Sequence, residues 1–287
     1  MLSTRSPGLD PSRAVRWARR HRLIAGGLML TLLATASGIL APWLAPYPPE
    51  QINPLNRLQA PSAVHPFGTD ELGRDVLSRV LFGARLSLSV GALVVILSTS
   101  LGTICGLLAG YFRYLDSPIM RVMDGLMALP DLLLAIALMA ALGPNMGNVV
   151  IALGIVYTPR VARVVRSAVL IVREREYVQA AQALGASSTR VILRHVLPNA
   201  ASPLIVQASF TFAFSVLGEA SLSFLGVGVP PGVPSWGNIL AGGRQYMTVA
   251  PWIAWFPGLA IVLTVLGLNL LGDGLRDLLD PRLRRLG

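Results

Sequence analysis

The chain of 287 residues contains no lysine: all 24 of its basic residues are arginine. That absence excludes a phosphate loop of the GxxxxGK[ST] type and any Schiff-base lysine chemistry. Cysteine occurs once, at Cys105 in an apolar stretch, which excludes an intramolecular disulfide and leaves a small buried apolar residue. The three histidines, His21, His65 and His195, show no metal-ligand spacing, so no metal site is assigned. Charge is scarce as well, at 13% of residues, against 53% hydrophobic and a mean hydropathy of +0.62. A soluble globular enzyme is thereby excluded, because water would meet too much apolar surface. The apolar stretches carry no HExxH, no GxSxG and no catalytic Asp pair, so no catalytic residue is expected.

What is present are uninterrupted apolar stretches of the length that crosses a hydrocarbon core. They predict an all-α integral membrane protein with six spanning helices, roughly 23–44, 86–109, 124–142, 149–169, 203–226 and 252–272. A transmembrane barrel would show shorter alternating segments, and these do not alternate. Orientation follows from the arginines, which cytoplasmic flanks retain and short translocated loops lose. The N-terminal tail, the 110–123 and 172–202 loops and the C-terminus hold 16 of them, and the opposite loops hold five: Arg57, Arg74, Arg79, Arg85 and Arg244. Both termini are thus expected in the cytoplasm, and the basicity is accounted for by a lipid bilayer without a nucleic-acid partner. Arg160, Arg163 and Arg166 are expected to snorkel at the cytoplasmic end of the fourth helix. The expected organisation is a cytoplasmic tail 1–22, a first helix 23–44, an external loop 45–83, a main transmembrane unit 84–275 and a tail 276–287. Leu23–Leu33 followed by Ala34-Thr35-Ala36 also fits a cleavable secretory leader. Against that stands the apolar run continuing to Leu44.

Two loops carry more than a connection. After a Pro-rich stretch, residues 70–82 read DELGRDVLSRVLF. Leu72, Val76, Leu77, Val80 and Leu81 recur at helical spacing, and Glu71–Arg74 and Asp75–Arg79 form i,i+3 and i,i+4 pairs. This predicts a helix in the outer interface leading into the second span. The 172–202 loop, REREYVQAAQALGASSTRVILRHVLPNAA, is long for such a chain. Tyr177, Ala180, Ala181 and Leu184 make one stripe of a helix beginning near Glu174 and stopping at Gly185, a left-handed C-cap. Ser187 or Ser188 then caps a second helix ended by Pro198. Small alanines on the stripe suit a close approach to a groove on a partner.

At these residues the chain resembles the inner-membrane permeases of ABC importers, whose loop reads EAA, three residues, Gly, nine residues, then I-x-L-P. Ala180, Ala181, Gly185, Leu197 and Pro198 keep that spacing, while Gln179 replaces the Glu and His195 the Ile. Both departures resemble the peptide and nickel branch, in which AAxALGAS and RHxLPN are usual and the acidic residue stands earlier, as Glu176 does here. HPFGTDELGRDVLSRVLFGARLSLSVG (65–91), ALGIVYTPRVARVVR (152–166), GEASLSFLGVGVPP with SWG (218–237) and NLLGDGLRDLLDPRLR (269–284) extend the likeness to the second, C-type permease of dipeptide and oligopeptide importers. The resemblance implies a bacterial inner-membrane subunit paired with a homologous permease. It also implies two ATPase subunits that carry ATP and Mg, an extracytoplasmic binding protein, and no cofactor on this chain. It places ATPase coupling on Glu176, Tyr177, Ala180, Ala181, Leu184, Gly185, Ala186, Arg190, His195 and Pro198. Nickel or glutathione in place of peptides, or a stand-alone secondary transporter or channel, are the other readings.

Two carboxylates fall inside spans, Asp131 and Glu219, and such groups face a cavity or a partner. Each is a candidate for the substrate path. Pairing with a neighbouring helix is the competing role for Glu219, and capping a helix N-terminus the competing role for Asp131.

Overall fold

The computed structural model describes residues 22–279; most of both tails, and His21, lie outside the described residues. Nine helices organise them. Helix α1, Arg22–Ile39, is followed by one more turn at Ala41–Leu44, then α2, Val76–Tyr111, α3, Arg113–Met127, α4, Asp131–Leu142, and α5, Met146–Arg173. After α6, Glu176–Ala183, come α7, Ser188–Phe224, α8, Trp236–Gly243, and α9, Trp252–Leu279. No β-strand occurs among the described residues.

Helices α1, α2, α5, α7 and α9 are each long and apolar enough to cross a bilayer, and a sixth span is reached if α3 and α4 count as one. That third span is not the straight 124–142 helix expected from hydropathy. It is broken at Ala128–Pro130 and bent by 92°. Pro130 disfavours helical backbone at Leu129, and α3 is strongly amphipathic, carrying Asp116, Arg121 and Asp124. An amphipathic helix suits the interface plane better than the hydrocarbon core.

Glycine sets the crossing of α2 and α5. Gly102, Gly106 and Gly110 form one ridge of α2 against α5, where a Cβ on Gly106 would stand 2.6 Å from the Ala162 carbonyl and 2.7 Å from Val165 Cβ. Without water-driven attraction between spans, such close backbone packing supplies much of the association. Helix α1 seats against α9 in the same manner, a Cβ on Gly27 falling 2.5 Å from the Leu271 nitrogen. The other face of α1 is open, with Met29, Leu32 and Leu33 exposed.

The Pro-rich segment 45–75 and α8 cover one end of the bundle, the cap end. Residues 70–75 are not part of a separate interfacial helix; α2 begins only at Val76 and runs 36 residues without a break. Gly73, at φ +73°, lies against the Asn53 carbonyl where no side chain fits, and it stops any helix before Asp75. Asp75 is the N-cap, accepting from the Ser78 amide at 2.8 Å and from His65 Nδ1 at 2.9 Å. It therefore does not pair with Arg79, which is buried with its Nε 3.6 Å from Asp70. The expected Glu71–Arg74 pair does form, at 2.9 Å. Trp236 locks the cap to the bundle: it is buried and donates through Nε1 to the Val80 carbonyl at 3.0 Å. Trp252 Nε1 likewise donates to the Thr69 carbonyl at 3.1 Å.

Candidate functional site

At the opposite end, the loop end, α5 stops at Arg173, whose guanidinium donates to the Gly110 carbonyl at 3.0 Å and so ties the ends of α2 and α5. Three residues later α6 begins. Its single buried side chain, Val178, packs in a cluster with Val172, Val191 and Val196, which fixes how the helix rotates about its axis. The stripe named from spacing therefore points away: Tyr177 is 47% exposed, Leu184 is 89% exposed, Ala180 is exposed and Ala181 half-buried. The bundle leaves this stripe unused.

The corner after α6 is a Schellman turn. Gly185 has φ +83°, its amide donates to Gln182 O at 2.9 Å, and the Ala186 amide donates to Ala181 O at 3.0 Å. Ser187 caps the next helix by accepting from the Arg190 amide at 3.4 Å. Pro198 does not end that helix, contrary to expectation. Its missing N–H and its ring conflict with the Arg194 carbonyl in α geometry, and the chain widens into a π-helical turn over Ile192–Val196 that makes room. Helix α7 then continues to Phe224, so the second half of the loop and a whole span form one rod. Glu176 and Arg190 are exposed, and the His195 ring lies 6.1 Å from that of Tyr177. Beside them opens a cleft of about 780 Å³ lined by Val172, Glu174, Arg175, Glu176, Tyr177 and Asn199.

The carboxylates inside the bundle have unlike surroundings. Glu219 on α7 is fully buried, accepting from Ser87 Oγ at 2.7 Å and from Ser223 Oγ at 2.8 Å, and so joins α7 to α2. Glu219→Leu strands both hydroxyls and is expected to cost about 1–3 kcal/mol per orphaned group. A lowered thermal midpoint in detergent, with substrate preference unchanged, is the result that agrees with this anchoring role. Asp131 stands in the first turn of α4, where a negative charge meets the helix dipole, but its side chain makes no cap. It pairs with Arg160 at 2.5 Å.

The three arginines of α5 do not snorkel past a helix end. Arg160 is 13 residues short of Arg173, and Arg160, Arg163 and Arg166 pair in turn with Asp131, Asp124 and Asp116. Sequence reading missed this ladder. Its signal was there: three aspartates at intervals of eight and seven precede three arginines spaced one turn apart. Among the described residues no group of three His, Cys, Asp or Glu could hold a metal ion.

Comparisons with known proteins agree on one family. Residues 98–285 match the family described as the inner membrane component of binding-protein-dependent transport systems, and residues 12–61 match the N-terminal transmembrane domain of oligopeptide transport permease C. The dipeptide transport system permease protein DppC of Alkalihalophilus pseudofirmus is 45% identical over 94% of this chain and 90% of its own. The glutathione transport system permease protein GsiD of Pectobacterium atrosepticum is also 45% identical, over 94% of this chain. Among solved structures, the inward-facing MetNI methionine ABC transporter shares the fold, with a TM-score of 0.57 at 19% identity over 70% of this chain and 96% of that one. With its apolar helices, the exposed loop after α5 and these relatives along nearly its whole length, the chain belongs to the multi-pass inner-membrane permeases of binding-protein-dependent ABC transport systems, in their oligopeptide permease C branch.

Proposed function

We propose that this chain is the C-type permease of an ATP-driven importer of di- and oligopeptides, with the loop end and both termini in the cytoplasm. It works beside a homologous permease, two ATPases that hold ATP and Mg, and an external binding protein. The observation that carries this reading is the exposed Tyr177, Ala180, Leu184 stripe on a helix held by Val178 and followed by a rod that includes a whole span. A partner that grips α6 moves the Gly185 corner, and α7 is continuous from Ser188 onward, so displacement at the loop reaches the interior as a tilt of α7. Coupling needs only that docking favour one of two packings. The cap end, with Leu55 and Val64 exposed, is the surface for the binding protein.

Two names among the relatives carry different substrates, a dipeptide and glutathione, both peptide-like with free charged termini. The test is purification of the tagged chain from its native membranes in mild detergent. A second permease and two ATPases in fixed ratio, with ATP turnover stimulated by peptide-loaded binding protein, is the expected result. Purification of the chain alone, as a stable oligomer without ATPase activity, overturns it in favour of a self-sufficient transporter or channel.

A further inference from the structure

Two rungs of the ladder fix the depth and the tilt of α3. Counted from Met146 at the start of α5, Arg166 lies about 30 Å along the helix, at the edge of a hydrocarbon layer. There its guanidinium grips both oxygens of Asp116, with Nε at 2.5 Å and Nη2 at 2.6 Å, and one turn back Arg163 holds Asp124 at 2.6 Å. The two arginines differ in depth by only about 4.5 Å, whereas the two aspartates stand about 12 Å apart along α3. Helix α3 therefore lies nearer the membrane plane than its normal, at the level of the headgroups.

The face that α3 turns away from the bundle has two parts. Arg113, Ser117 and Arg121 follow one another at i, i+4 and i+8 and are exposed, with Tyr114 beside them at 75% exposure. Pro118 and Val122, each one position further on, form an apolar flank, Val122 at 60% exposure. The opposite side carries the one buried side chain of the helix, Met123. A basic strip, an aromatic residue and an apolar flank on a helix at this depth suit the boundary between headgroups and acyl chains. The charge left on the strip has one sign. Asp116 and Asp124 are taken up by Arg166 and Arg163, while Arg113 and Arg121 have no ion-pair partner among the described residues.

We infer that α3 is a binding strip for anionic phospholipids. Arg113 and Arg121, about 12 Å apart along the helix, each take a headgroup phosphate, and the flank at Pro118 and Val122 lies against the acyl chains below. A zwitterionic headgroup brings its own cation to the strip, so a headgroup with net negative charge is preferred. Both rungs join α3 to α5, so lipids that hold α3 in the plane also hold the ladder.

The test uses the protein purified with its accompanying subunits and reconstituted in mixed vesicles of dioleoyl phosphatidylcholine and dioleoyl phosphatidylglycerol. A bimane fluorophore on Val122→Cys, in a Cys105→Ser background, is quenched by acyl-brominated forms of one lipid or the other, and the two quenching curves give the preference for phosphatidylglycerol at α3. Arg113→Gln and Arg121→Gln are each expected to lower that preference about fivefold, the share that one arginine near an anionic surface contributes. The double Gln variant is expected to show no preference, and Arg113→Lys with Arg121→Lys to keep the parent value, because the charge is retained. A parent that does not distinguish the two lipids, or a double Gln variant that distinguishes them as the parent does, overturns the inference. Quenching by neither lipid overturns it as well, because α3 is then covered by another protein subunit.

Discussion

A complex carrying Gly185→Asp is expected to reach the membrane in normal amount and to transport nothing measurable. The two halves of that expectation have separate causes. A Cβ built on Gly185 meets no atom of this chain within 4 Å, so the substitution is not opposed by packing. What opposes it is the left-handed φ of +83°, which costs a residue other than glycine about 1–2 kcal/mol and aspartate toward the low end of that range. A corner with two backbone hydrogen bonds and a buried Val178 behind it survives a cost of that size. The new carboxylate projects instead into the space where the proposed ATPase groove closes on α6, adding bulk and an unpaired charge to a contact built on alanines. Ala181→Trp tests the same surface one turn earlier. Uptake, quantified against the amount of permease in the membrane, is the measurement, with co-purification of the ATPases as its companion. Normal uptake by either variant at normal abundance removes the coupling role of residues 176–186.

Gly106→Leu is expected to have the opposite profile, with the protein failing to accumulate at all. Here the obstacle is rigid: the Ala162 carbonyl and Val165 Cβ stand 2.6 and 2.7 Å from where the new Cβ would be. Neither is the far end of a flexible side chain, so α2 and α5 must move apart along the ridge that also includes Gly102 and Gly110. Overpacking in a well-packed interior costs about 1–3 kcal/mol where neighbours can shift, and more where backbone is in the way. Membrane abundance and the midpoint of thermal aggregation in detergent read this out. A variant that accumulates normally and melts at the parent temperature would show that the two helices are not seated as closely as this ridge requires.

The contrast between these glycines shows what was legible in sequence and what was not. Gly185 announced itself because its neighbours are local: an apolar stripe ends, a glycine follows, and a serine caps what comes next. Gly106 sits in an apolar run like any other small residue, and its constraint comes from α5, more than 50 positions away. Pro198 misled for the same reason in reverse. Its local chemistry says that a helix stops, yet the packing of Val191, Val196 and Ala200 keeps the rod intact, and a π turn absorbs the conflict. Residues 70–75 misled because periodicity counts side chains and ignores backbone, whereas Gly73 in a left-handed conformation and Asp75 as a cap decide where α2 begins.

By itself the amino-acid sequence determined the helical membrane class, the apolar spans, the Gly185 corner with its stripe, and the likeness to ABC importer permeases, because hydropathy, capping and motif spacing act over a few turns of chain. Only the tertiary structure decided that the third span is broken, that Glu219 is enclosed by Ser87 and Ser223, and that Asp131 faces Arg160 at 2.5 Å. A carboxylate inside a span must find a partner, but which one depends on helices that meet 29 residues apart in one case and 132 in the other. That meeting is set by how whole helices pack against one another, which no local periodicity encodes.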